Sequence, residues 1–147
     1  MTVYQGVGVP GPDQGGSPWN FYVPVINLAD AYIDYYQVQA FNNWYDGFAG
    51  GSLGYYQDVY LNWRNKQGYS PVGRPIPGFD GVRGEKLIMG LLASDKAGIP
   101  DYYGSPETIR QFKSWLRDTG YGLAGFMLWD SNWDKQNSFA ISNACKE

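Results

Sequence analysis

The sequence predicts an α/β domain built on a parallel sheet. Apolar, β-rich segments alternate with segments of helical spacing, and the β-rich segments are apolar almost throughout rather than at every second position. The loops that follow them are rich in Gly, Pro, Asp, Asn and Trp, whereas most connections running the other way are plainer. Parallel strands joined by crossover helices are covered on both faces, and that produces near-continuous apolar runs of this kind.

Residues 2–9 form the first expected strand. A short, irregular helix carrying Pro24 is expected over 19–29, and the second strand over 32–41. Tyr56, Val59, Tyr60 and Trp63 share one face of a helix over 53–66, with Gly68 beyond its end. The third strand is expected over 86–93. The clearest helix spans 101–120: Ser105 is a fair N-cap, Pro106 fits the first turn, Glu107 favours the positive end, and Gly120 supplies the stop. Ile109, Phe112, Trp115 and Leu116 line its apolar face. A fourth strand is expected over 123–129, and a helical turn or two over 138–145. The order is β-α-β-α-β-α-β-(α).

In parallel α/β folds, function gathers in the loops at the carboxyl ends of the strands. That points to Trp44, Tyr45, Asp46, Asp95, Tyr102, Tyr103, Asp130 and Trp133. The second strand adds an oddity. Gln37, Gln39 and Phe41 point one way, and Tyr36, Val38 and Ala40 the other. A row with two amides implies something polar held on that face.

With 147 residues, 44% hydrophobic and 17% charged, residues 1–147 make one ordinary domain. A net charge of −3 without a basic run argues against a nucleic-acid or anionic-membrane partner. No apolar stretch approaches the roughly 20 residues of a membrane span. No signal peptide is visible at the start, so localisation stays open between a cytosolic protein and a mature or trimmed chain. The chain has no histidine and one cysteine, Cys145. Histidine-dependent catalytic triads, histidine-ligated metals and an intrachain disulfide are thereby excluded, and neither a metal nor a cofactor is expected. The 13 Tyr, 7 Phe and 6 Trp suit either the flat faces of sugar rings or a tyrosine-rich packing style.

Two motifs look functional and are not. GVGVPG at 6–11 has dinucleotide-loop spacing, but Pro10, Pro12, Gly15, Gly16 and Pro18 postpone the helix whose N-terminus would meet the pyrophosphate. Asp30 and Asp34, in DAYID, fall at the amino end of a strand, the stability side of such folds.

MTVYQGVGV, QVQAFNN, KLIMGLLAS and GFMLWDSNWD occur in that order along the chain. Together they resemble the last four strands of family 18 glycoside hydrolases, the chitinases of bacterial and fungal type, over nearly the whole sequence. The resemblance implies half of a (β/α)8 barrel, a fold that takes about 250 residues when whole. It also implies that the segment bearing the family's general-acid Glu is absent. Glu85, Glu107 and Glu147 are the glutamates here, and none falls at the carboxyl end of a strand. Hydrolysis in the family is assisted by the substrate's own acetamido group. The tyrosine that donates to that group matches Phe41, which has no hydroxyl. Trp129 matches the tryptophan flooring the reacting subsite, and Gln39 and Asn42 match polar groups that contact the sugar.

An open four-stranded sheet would expose two edges, which invite pairing. A second copy could complete eight strands, so a homodimer is expected, with an excised fragment as the competing view. The leading expectation is lectin-like, non-catalytic binding of N-acetylglucosamine or chitin-type oligosaccharides. Its site would comprise Trp129, Gln39, Phe41, Asn42, Trp44, Tyr45, Asp130 and Trp133. Chitin hydrolysis is the alternative, and a structural or interaction protein with a vestigial cleft is a third reading.

Overall fold

The computed structural model describes residues 2–4, 22–42, 49–64 and 81–146. Among these lie the strands β1 (Thr2–Tyr4), β2 (Tyr36–Gln39), β3 (Leu87–Leu92) and β4 (Gly125–Trp129), in one sheet of order β1-β2-β3-β4. Every pairing is parallel. The helices are α1 (Tyr22–Ala29), α2 (Leu53–Arg64), α3 (Pro106–Thr119), α4 (Ser131–Gln136) and α5 (Ala140–Lys146). The expected alternation of strands and helices is present.

Strand pleat divides the sheet into two faces. Tyr36 and Val38 of β2 and Leu87, Met89 and Leu91 of β3 point into the main core, where Phe126 and Leu128 of β4 join them partly buried. Helices cover this face. Tyr56 and Tyr60 of α2 meet Phe112 of α3 with ring centroids 6.0 and 6.2 Å apart, and Phe112 reaches Phe126 of the sheet at 6.4 Å. Tyr60 also packs on Trp115 and Tyr121, each at 5.7 Å. Such contacts contribute about 0.5–1.5 kcal/mol each beyond area burial. Tyr56, Tyr60, Phe112, Trp115, Tyr121 and Phe126 therefore serve as packing between α2, α3 and the sheet. The Tyr60 hydroxyl donates to the Gly122 carbonyl at 2.6 Å, and burial pushes this phenol up to about 12.

On the opposite face the register sets Gln37, Ile88 and Gly125 in one row, and Gln39, Gly90 and Met127 in the next. Leu92 and Trp129 are paired above them. Gly90 has a steric reason: a Cβ there would stand 2.9 Å from the Met127 methyl and 2.8 Å from the Val38 carbonyl oxygen.

Several boundaries differ from expectation. The third and fourth strands are each two residues shorter in the ladder than 86–93 and 123–129. The second strand begins only at Tyr36, because Asp30–Tyr32 form a 3-10 turn closed by the Ile33 N–H on the Asp30 carbonyl. The long helix starts at Pro106, not 101. Pro100–Tyr102 are a separate 3-10 turn, and extended Ser105 caps α3 by accepting the Thr108 N–H. Gly120, at φ 69°, ends it as expected. α4 occupies a stretch read from the sequence as loop, and α5 begins two residues later than expected. Residues 5–9 of the first expected strand, 19–21 of the first helix and 65–66 of the second lie outside the described residues.

At the amino ends of the strands, Lys86 bridges the Asp30 carboxylate at 3.0 Å, and the Tyr36 hydroxyl donates to the same oxygen at 2.9 Å. Burial raises the Asp30 carboxyl, but the two hydrogen bonds and the Lys86 charge outweigh it and hold the group below its ordinary range. Asp30 thus ties α1 to the sheet at the stability end of the fold.

Candidate functional site

The carboxyl ends of β2, β3 and β4 converge on a single hub, the loop from Ala93 to Ser105. Asn42, just past β2, adopts the left-handed conformation at φ 55°, and its carboxamide oxygen accepts the Ile99 N–H at 2.8 Å. Gly98 passes so close that a Cβ there would meet the Asn42 amide and the Leu92 side chain below 3 Å. The turn before α2 seats under the same loop: a Cβ on Gly51 would lie 2.5 Å from the Tyr103 carbonyl oxygen.

From the β4 side, the Trp129 carbonyl accepts the Ala93 N–H at 3.0 Å. The Trp129–Asp130 peptide is cis, and the chain turns there into α4. Asp130 is the N-cap of that helix, its Oδ1 accepting the N–H groups of Asn132 at 2.9 Å and Trp133 at 3.2 Å. At the other end of α4, Asn137 reaches back. Its Nδ2 donates to the Ala93 carbonyl at 3.1 Å and to the Tyr103 hydroxyl oxygen at 3.0 Å.

These joints place the residues singled out from the sequence. Trp129 is 52% exposed, and its position in the pleat sets it on the same face as Met127. Gln39 is half-buried and closes a local bond, its Nε2 donating to the Phe41 carbonyl at 3.2 Å. Phe41 is 4% exposed, so it acts as packing beneath the mouth and offers little surface to a ligand. Asn42 and Asp130 do structural work with the oxygens named above. Trp133 is half-buried in the first turn of α4. Trp44 and Tyr45 lie outside the described residues.

Asn137 was missed. It ends a short helix without an apolar stripe, and nothing in its sequence neighbourhood signals a link to β3. Asp134, buried beside α5 and accepting the Ser142 N–H at 3.3 Å, was missed for the same reason. Burial, then the neighbouring Asp101 charge, pushes the Tyr102 hydroxyl up, so it is a neutral group at the hub. Among the described residues no cluster of acidic, cysteine or histidine side chains could hold a metal, and no helix is long and apolar enough to cross a membrane.

No protein-family profile matches the chain. It is 29% identical to Chitinase D of Niallia circulans and 28% identical to a chitinase of Paenibacillus xylanexedens, in each case over 88% of its own length. The chain is related to chitinases. It spans 28% of the length of each of these relatives. Among solved structures, a family 18 chitinase of Chromobacterium violaceum superposes with a TM-score of 0.67 at 19% identity, over 88% of this chain and 39% of the other. A family 18 chitinase of Pseudoalteromonas aurantia gives 0.57 at 22% identity, over 95% and 45%. Concanavalin B gives 0.58 at 18% identity, over 99% and 43%. The chitinase-like α/β fold is common to all of them.

Proposed function

We propose that the chain binds N-acetylglucosamine or chitin-type oligosaccharides at the carboxyl ends of its strands without cleaving them. The observation that carries this reading is Trp129, a half-exposed indole at the end of β4. A flat apolar face with a polar N–H edge suits a sugar ring, whose C–H groups stack on the indole while its hydroxyls reach polar neighbours. Phe41 supports the absence of cleavage, since it stands where the resemblance expects a tyrosine hydroxyl. The reading is tested by titration calorimetry with chitotriose. Binding by the wild type and its loss in Trp129→Ala are expected; a wild type that takes up no ligand sinks the proposal.

The same reading includes the assembly. With β1 and β4 at the margins of the described sheet, two copies pairing edge to edge would close an eight-stranded barrel carrying two binding sites. Light scattering at micromolar concentration should give twice the chain mass; a folded monomer refutes the dimer.

The second reading is chitin hydrolysis, by this chain or by a longer protein of which it is the C-terminal part. The relatives' description as chitinases and the 28% of their length that is matched favour it. Release of fluorophore from a chitobioside substrate by the purified chain would establish hydrolysis and overturn the non-catalytic reading.

A further inference from the structure

We propose that Asn137 is a positioning residue for Trp129, holding the indole in place through a strap that joins both ends of α4 to the end of β3; the inference rests on the sugar-binding reading for its functional meaning. The strap is a continuous chain of hydrogen bonds. The Trp129 carbonyl takes the Ala93 N–H, and the carbonyl of the same Ala93 takes the Asn137 amide. That amide also donates to the Tyr103 hydroxyl oxygen, which belongs to the loop that Asn42 grips from the far side. Asp130, immediately after Trp129, fixes the first turn of α4, and Asn137 fixes the last.

α4 has six residues and only Asp134 buried, so neither length nor apolar packing holds it in place. Its position depends on its two ends and on Asp134, whose carboxylate accepts the Ser142 N–H of α5 at 3.3 Å. Among the described residues, the Asp130 side chain bonds within the helix. Asn137 is, among them, the side chain whose hydrogen bonds connect the helix to the end of β3 and to the hub loop. With this link cut, the Ala93 carbonyl and the Tyr103 hydroxyl lose a partner, and α4 keeps its tie to α5 through Asp134 but loses its side-chain tie to the sheet and the hub loop, beside Trp129. A stacking platform must be held before the ligand arrives, because ordering it on binding would subtract from affinity.

The experiment uses the whole chain and reads indole N–H signals by NMR, with that of Trp129 assigned through its disappearance in Trp129→Ala. In the ligand-free protein, Asn137→Ala should shift or broaden the Trp129 signal, while the Trp63 and Trp115 signals stay put and report an intact core. Tyr103→Phe, which removes one of the two acceptors, should do the same to a smaller extent, and it decides the matter if Asn137→Ala does not fold. Chitotriose affinity should weaken roughly five- to thirtyfold in Asn137→Ala. An unmoved Trp129 signal in the folded variants overturns the positioning role. A wild type that binds no chitotriose instead overturns the sugar-binding reading, and the ligand-free spectra still judge the strap.

Discussion

Asn42 holds Ile99. The side-chain oxygen of one loop accepts the backbone N–H of the next at 2.8 Å, and the two loops leave different strands. At φ 55° Asn42 occupies a conformation that Asn tolerates and most residues do not. Asn42→Asp keeps both the acceptor and the tolerance and should stay close to wild-type stability. Asn42→Ala loses both and should cost about 1–2 kcal/mol in urea unfolding. Asn42→Gly, relieved of the φ penalty but lacking the oxygen, should fall between them.

Trp129 and Phe112 make a contrasting pair. Phe112 is fully buried between α2, α3 and the sheet, whereas Trp129 is 52% exposed. Phe112→Ala should cost roughly 3–5 kcal/mol. Trp129→Ala should cost only about 1 kcal/mol, because much of its surface is already in water. Loss of chitotriose binding in Trp129→Ala would then be a local effect, provided its thermal melt stays near that of the wild type.

Asp130 separates cap from ligand contact. As N-cap of α4 it should lose about 1 kcal/mol on replacement by Ala and little on replacement by Ser or Asn, which cap equally well. A contact with sugar through the carboxylate itself predicts another pattern: Asp130→Ser would then lose chitotriose affinity while keeping stability.

The Asp30–Lys86 bridge predicts an acid-sensitive margin of stability. The Asp30 carboxyl lies below its ordinary value of 3.8 in the folded protein, so the fold favours its ionised form. Its contribution is fully present above about pH 4 and fades as the pH falls through the lower, folded value. Asp30→Asn should be less stable than wild type at pH 7. The gap should stay under about 1 kcal/mol, because the carboxylate is partly exposed and screened. Unfolding midpoints measured between pH 7 and pH 2 should converge at the acid end.

Elements with strong periodicity were legible in the sequence. Ser105, Pro106 and Gly120 mark the ends of α3 by local chemistry, and Leu87–Leu92 reads as a strand because its apolar run has only 6 residues, short for a buried helix. Tyr32 reads as strand because nothing local announces the distant Lys86 that bonds the Asp30 carbonyl behind the turn, and α4 reads as loop because its few residues have no apolar stripe. The aromatic count alone does not distinguish packing from sugar stacking; Tyr56, Tyr60 and Phe112 fall on the packing side. The site was legible only as a place. Trp129 could be named from the sequence, but the web of Asn42, Ile99, Ala93, Tyr103 and Asn137 joins residues distant along the chain, and no spacing rule reveals it.

All the pairings among the described residues of the sheet run in one direction. If two copies close a barrel with that same sense, their symmetry axis must lie along the barrel axis, and both tryptophan mouths open at the same end. Such a dimer would plant two feet on one chitin surface and could not bridge two separate particles. It should cling to a chitin bead far more tightly than a single site would allow, and yet leave a suspension of chitin particles unclumped.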